Sequence, residues 1–118
     1  MDIGNVLLRG DSMDSIIRGT NATIQIKIKE DLDFATITAL ELHIYQPTHP
    51  IVKTLQDLTL DVENQIVSYE LSQSESLSLV AQRSVEISLI GVADGKRFET
   101  RPVIKCAVEN TRKNEVMA

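Results

Sequence analysis

His43, His49, Cys106 and the cluster Glu30-Asp31-Leu32-Asp33 are the side chains in this sequence whose types could do chemistry. The two histidines would serve a metal site or a general base only if further ligands or a substrate converged on them. No His–His or Cys–His spacing brings ligands to either one. His43 falls on the outward phase of an alternating segment, and His49 lies in a proline-rich turn, so both are expected at the surface. A nucleophilic thiol needs exposure and a neighbouring base. Cys106 instead shares an inward phase with Ile104 and Val108, which predicts a small core residue. As the single cysteine it cannot form an internal bridge, in keeping with a reducing compartment.

The acidic cluster is rich enough in oxygen to interest calcium, but the EF-hand spacing and its glycine are absent. A solvated loop is the favoured reading there, with weak divalent binding at Glu30, Asp31 and Asp33 as the alternative. Asn21-Ala22-Thr23 matches a glycosylation acceptor, which has meaning only in a secreted chain. The serines lack a Gly-x-Ser-x-Gly elbow, and the glycines are too scattered to cradle a phosphate. No catalytic, cofactor-binding or metal-ligating set follows. The expectation is a protein that is not an enzyme and needs no cofactor.

The elements that position these residues are short strands. Ile24, Ile26 and Ile28 alternate with Gln25, Lys27 and Lys29, and Leu40, Leu42 and Ile44 alternate with Glu41, His43 and Tyr45. A period of two with β-branched residues on one phase marks strands with one face on a core. Two prolines in Gln46–Pro50 make a turn. Shorter strands are expected over 51–55, 58–62 and 66–71, with Glu63-Asn64 reversing the chain. Ser72 and Glu75 have the spacing of a capping box and predict a short helix near 72–80. Val85, Ile87 and Leu89 restore the alternation. Asp94-Gly95 then supplies the positive φ values of a two-residue hairpin, and the chain returns through 97–99 and 103–108. Pro102 must sit at an edge or a bulge. These elements predict an all-β fold, an antiparallel β-sandwich that is immunoglobulin-like in outline, with about seven to eight short strands. The expected divisions are an N-terminal arm over 1–13, a sandwich domain over 14–109 and a polar tail over 110–118.

Composition limits the partners. The 118 residues suit one domain, and 42% hydrophobic with 25% charged residues is an ordinary globular balance. With two Tyr, two Phe and no Trp, few rings exist to stack on bases or sugars. A net charge of −5 opposes binding to a phosphate backbone, so nucleic acid is not an expected partner. No apolar run approaches the ~20 residues of a membrane span, and the start of the chain does not resemble a signal peptide. Synthesis in the cytoplasm is expected, with departure, if any, not by a secretory signal, and with no membrane partner. The charge is uneven: residues 1–95 balance to −8 and residues 96–118 to +3. Lys96, Arg97, Arg101, Arg112 and Lys113 form a candidate basic surface that could steer one copy onto another, homo-oligomers included. Val6, Leu7 and Leu8 form a candidate assembly arm, able to add a strand to a neighbour's sheet edge.

Taken in order, Ile16-Ile17-Arg18-Gly19-Thr20, the strand Thr23–Lys29, Leu40–Gln46, Val52–Leu55, Leu71-Ser72-Gln73-Ser74-Glu75-Ser76 and Val85–Ile90 with Asp94-Gly95 resemble a group of small proteins. These are encoded in the structural-gene region of tailed phages and prophages of Gram-positive bacteria. The resemblance covers roughly residues 15–110 and departs from the group's pattern at Ser76 and Pro102. It implies a β-sandwich subunit of the tail, baseplate or head–tail connector, located in the virion after synthesis in the bacterial cytoplasm. The implied partners are protein: further copies of the chain or other virion proteins. It implies no catalytic residues. The alternative function is an adhesion or carbohydrate-binding β-sandwich module, for which Tyr45 on an outward phase is the visible platform.

Overall fold

Isoleucine at every second position from Ile24 to Ile28 puts one face of a strand on the core and leaves Gln25 and Lys27 on the other. The same rule, applied down the chain, builds two sheets whose apolar faces meet. The computed structural model describes residues 3–8, 15–29, 31–47, 50–100 and 104–117, with side chains described from residue 15 onward except at position 104. In chain order the strands are β1 (Ile3–Leu8), β2 (Ser15–Ile17), β3 (Thr23–Ile28), β4 (Ile37–Tyr45), β5 (Ile51–Thr54), β6 (Thr59–Asp61) and β7 (Ile66–Glu70). The helix α1 (Gln73–Leu77) follows, then β8 (Ser84–Ala93), β9 (Lys96–Glu99) and β10 (Ile104–Glu109).

One sheet has the order β1-β3-β7-β6, and the other β2-β10-β8-β4-β5, with β9 also on β8. This is the two-sheet order of an immunoglobulin-like sandwich, and the fold is all-β as the alternation predicts. Two strands lie beyond the expected segments, β1 and β2. The pairing is antiparallel with one exception, β2 running parallel to β10 through Ala107–Ser15, Val108–Ile16 and Glu109–Ile17. Because β1 belongs to one sheet and β2 to the other, the chain changes sheets between residues 8 and 15. β4 covers one side of β8 from Glu86 to Ala93. β10 and β9 therefore share its other side, β10 against residues 84–87 and β9 against 90–93. At the junction Thr100 is 1% exposed and extends the pairing, donating its N–H to the Leu89 carbonyl at 3.0 Å while its side-chain Oγ1 accepts from the Leu89 N–H at 2.9 Å. Pro102 lies outside the described residues.

The core is aliphatic. Ile24, Ile26 and Ile28 of β3 meet Leu40, Leu42 and Ile44 of β4 and Val85, Ile87 and Leu89 of β8, all buried, with Phe34 the one fully buried ring. Each such side chain contributes about 1.5–3 kcal/mol relative to exposure. Cys106 and Val108 of β10 are buried among them, as their inward phase predicts. Gly91 lies in the middle of β8 for a packing reason: a Cβ there would stand 2.6 Å from the Ala39 carbonyl oxygen and 2.8 Å from Cζ of Phe98. The missing side chain lets the Phe98 ring lie across the strand.

The local signals with a mechanism form as predicted. Ser72 caps α1, its Oγ accepting from the Glu75 N–H at 3.1 Å while Glu75 Oε1 accepts from the Ser72 N–H at 2.9 Å. Asp94 and Gly95 have φ of 52° and 72° and close the β8–β9 hairpin.

Candidate protein–protein interface

In-register neighbours of a sheet share a face, so the pairing fixes what each sheet presents outward. On the β1-β3-β7-β6 sheet the outward rows are Thr23 with Glu70, then Gln25 with Ser68 and Thr59, then Lys27 with Ile66 and Asp61. Over the described side chains that surface is mostly polar, with Ile66 in its last row and Val62 exposed in the turn after β6. The outward rows of the other sheet are Ala39, Val92 and Arg97; Glu41, Ile90, Glu99 and Thr54; His43, Ser88 and Val52; and Tyr45, Glu86 and Lys105. Apolar groups run through its middle and charged ones interrupt them. Tyr45 and Val52 are 49% and 47% exposed, and Ile17 at the β2 edge is 41% exposed. The two outer faces thus differ, the second setting apolar side chains among charged ones.

At one end of the sandwich a network ties together segments distant in sequence. Glu75 of α1 is its hub: Oε2 lies 2.7 Å from Nζ of Lys53 on β5, and Oε1 accepts from the Tyr69 hydroxyl of β7 at 2.6 Å. Lys53 Nζ also stands 5.3 Å from the centre of the Tyr69 ring, within cation–π range. Burial alone would raise the Glu75 carboxyl, but the Lys53 ammonium, the Ser72 N–H and the Tyr69 hydroxyl outweigh it and hold the group at about 2. The same carboxylate raises Lys53 above its usual range, and burial, with Glu75 beside it, raises Tyr69. Arg18 makes a second tie, donating to Asn110 and Asn114 side chains at 2.8 Å each and to the Leu77 carbonyl at 2.9 Å. Gln73 holds the main chain of Met117 at both its N–H and its C=O, at 2.7 and 3.0 Å. The polar segment beyond β10 is therefore fastened across α1 over its described residues.

The residues singled out in the sequence are placed as follows. Val6, Leu7 and Leu8 lie in β1, whose backbone pairs with β3 of its own sheet in the register Val6–Ile26, Leu7–Gln25, Leu8–Ile24. The segment expected as a free arm is a strand of the domain over residues 3–8, because β3 offers it a complete ladder; positions 1–2 and 9–13 lie outside the described residues. The candidate basic surface is not one patch. Lys96 stands opposite Ala93 at one end of β8, whereas Arg112 and Lys113 follow the end of β10, which pairs at Ser84 at the other. β8 has 10 residues, so roughly 30 Å separates the two groups at the rise of a strand. Arg97 is engaged with Glu99 at 2.7 Å and Lys113 with Glu115 at 3.9 Å; Arg101 lies outside the described residues. His43 sits on the outer face 2.9 Å from Glu41, and His49 lies outside the described residues. In the acidic loop Asp33 accepts from the Ala35 N–H at 3.0 Å and so caps a short 3-10 turn, Phe34–Thr36. Asp31 is exposed, and Glu30 lies outside the described residues. Among the described residues no group of three His, Cys, Asp or Glu side chains is placed to hold a metal ion.

Sequence reasoning missed the Lys53–Glu75–Tyr69 hub, Arg18 and the buried Gln46. The Gln46 amide is 2% exposed and satisfies both the N–H and the C=O of Val80, at 2.8 and 3.1 Å. Only Glu75 carried a signal, the capping box, and that signal points to a helix start rather than to a lysine on another sheet. No protein-family model matches the chain, and no curated protein matches it.

Proposed function

We propose that this chain is a non-enzymatic structural protein of a tailed phage or prophage virion, a subunit of the tail, baseplate or head–tail connector, acting through protein–protein assembly. One observation carries the assembly part: the outer face of the β2-β10-β8-β4-β5 sheet sets Tyr45, Val52, Ile90 and Val92 among charged neighbours, while the opposite outer face is mostly polar over its described side chains. Exposed aromatic and aliphatic groups set together on one face are what a neighbouring subunit buries. The virion part rests on the ordered resemblance in the sequence. The partner on this face is another virion protein, and the chain resides in the particle.

A second reading has one observation in its favour. Tyr45 is half-exposed on that face and is a platform on which a sugar ring could stack, as an adhesion or carbohydrate-binding module requires. Mass spectrometry of purified particles from the organism that encodes the chain separates the two. The chain present in stoichiometric amount in the particles is the result expected. The chain absent from them, with retention of the parent but not of Tyr45→Ala on a glycan array, would replace assembly by carbohydrate binding.

A further inference from the structure

An open sheet edge offers a row of unpaired N–H and C=O groups, and folded proteins guard such edges with short strands, charges or proline. Four of the edges here are guarded. β6 has three residues and carries Asp61; β2 has three residues and runs into Arg18. β5 carries Lys53 and begins directly after Pro50, and β9 carries Lys96, Arg97 and Glu99. β1 is different. Among the described residues it is the terminal strand of its sheet; it has six residues, Ile3-Gly4-Asn5-Val6-Leu7-Leu8, with a register shift between Ile3 and Val6 and a regular ladder over Val6–Leu8, and it contains neither charge nor proline.

Which of its backbone groups are open follows from the neighbouring ladder. On β3 and the residue before it, the Ile28 N–H donates to the Gln65 carbonyl and the Ala22 carbonyl accepts from the Leu71 N–H, so the even-numbered positions there face β7. Odd-numbered Gln25 therefore faces β1, and its partner is Leu7. By the alternation of an antiparallel ladder, Leu7 spends its backbone groups on β3, while Val6 and Leu8 turn theirs away from the sheet.

The geometry points to β1 as a self-pairing edge that joins two copies of this chain. It deepens the assembly reading above by naming one partner, and it concerns an edge rather than the Tyr45 face. Two β1 strands meet antiparallel about a two-fold axis at Leu7. Val6 of each copy then exchanges N–H···O=C bonds with the second copy's Leu8, and the two four-stranded sheets become one continuous sheet. Identical strands are complementary in this arrangement by construction, and the neutral sequence brings no like charges together. Self-pairing of β5 or β6 would instead crowd Lys53 or Asp61 against its own copy.

Two measurements test this on the full chain. Amide hydrogen exchange needs no substitution: the Leu7 amide is protected at every concentration, while Val6 and Leu8 slow at least ten-fold between dilute and concentrated protein. The second is cross-linking. Leu7 pairs with Leu7 at a non-hydrogen-bonded position, where Cα atoms stand about 4.5 Å apart, within the range a disulfide bridges. Cys106 is fully buried and does not compete. Leu7→Cys, with its fold checked by circular dichroism, oxidises to a covalent dimer at least ten-fold faster than Thr59→Cys on the polar face. Exchange at Val6 and Leu8 that ignores concentration, or cross-linking of Leu7→Cys no faster than the control, overturns self-pairing. Either result leaves the virion reading to the particle composition.

Discussion

The ammonium of Lys53 and the carboxylate of Glu75 meet at 2.7 Å and join two layers of the sandwich, since Lys53 belongs to β5 of one sheet and Glu75 to the helix that follows β7 of the other. The contact lies where the chain crosses between the sheets, and Tyr69 of β7 completes it. A salt bridge on a surface is worth little alone. This one is reinforced because the same carboxylate also caps α1.

The hub makes stability depend on acid in a defined direction. The Glu75 carboxyl is held at about 2 against an ordinary value of 4.5. A folded pKa below the unfolded one means that the stabilisation is complete above about pH 4.5 and is lost as the pH falls through that value toward 2. The shift corresponds to at most about 3 kcal/mol, and solvent screening brings it to the order of 1 kcal/mol. Denaturant melts between pH 6 and pH 3 should show the parent losing much of this increment while Glu75→Gln, already weaker at pH 6, loses less. Equal pH slopes for the two proteins would remove Glu75 from the account.

Gly91 should tolerate no side chain. The Cβ of Gly91→Ala meets a backbone carbonyl at 2.6 Å as well as the Phe98 ring, so a rotamer change cannot relieve it. Overpacking of this kind costs about 1–3 kcal/mol or more. Thermal melting should show a clear loss for Gly91→Ala, only partly recovered by adding Phe98→Leu, because the Ala39 carbonyl stays in place. A parent-like melting temperature would contradict this packing.

Gly95 isolates a backbone effect. Its φ is 72°, and nothing lies within 4 Å of a Cβ built there. Gly95→Val should cost about 1–2 kcal/mol through the left-handed conformation alone, and Gly95→Asn distinctly less, since Asn tolerates that region. Equal stabilities for the two variants would mean that the turn rearranges.

Charge placed in the core should abolish folding, and the same charge one residue away should not. Ile26 is fully buried, and Ile26→Asp strands a carboxylate there at a cost of several kcal/mol or the loss of the fold. Gln25→Asp on the outer face should stay within about 0.5 kcal/mol of the parent. Circular dichroism of the pair checks the assigned faces, and a folded Ile26→Asp would reverse them.

The fold was legible where the pattern has a single meaning. The alternations around Ile26, Leu42 and Ile87 fix faces, and Ser72–Glu75 and Asp94-Gly95 fix a helix start and a hairpin through local geometry. What stayed hidden depends on distant partners. Ile3-Gly4-Asn5-Val6-Leu7-Leu8 has no alternation, and it becomes a strand only because β3 supplies the ladder, with a register shift between Ile3 and Val6. The basic residues after position 95 are neighbours in sequence, yet β9 and β10 together run the length of β8 and carry Lys96 and Lys113 to opposite ends. Nothing near Glu75 in sequence names Lys53 as its partner. The site was therefore less legible than the fold.

The central claim is that this domain works by associating with protein, beginning with a second copy of itself. Light scattering behind size-exclusion chromatography, over a wide concentration range and at low and high salt, tests it most directly. The account predicts a reversible dimer that grows with concentration and persists in high salt, because main-chain bonds along neutral β1 strands carry it. A strict monomer at every concentration and salt would contradict self-pairing through β1, and association with other virion proteins would then rest on the particle composition alone.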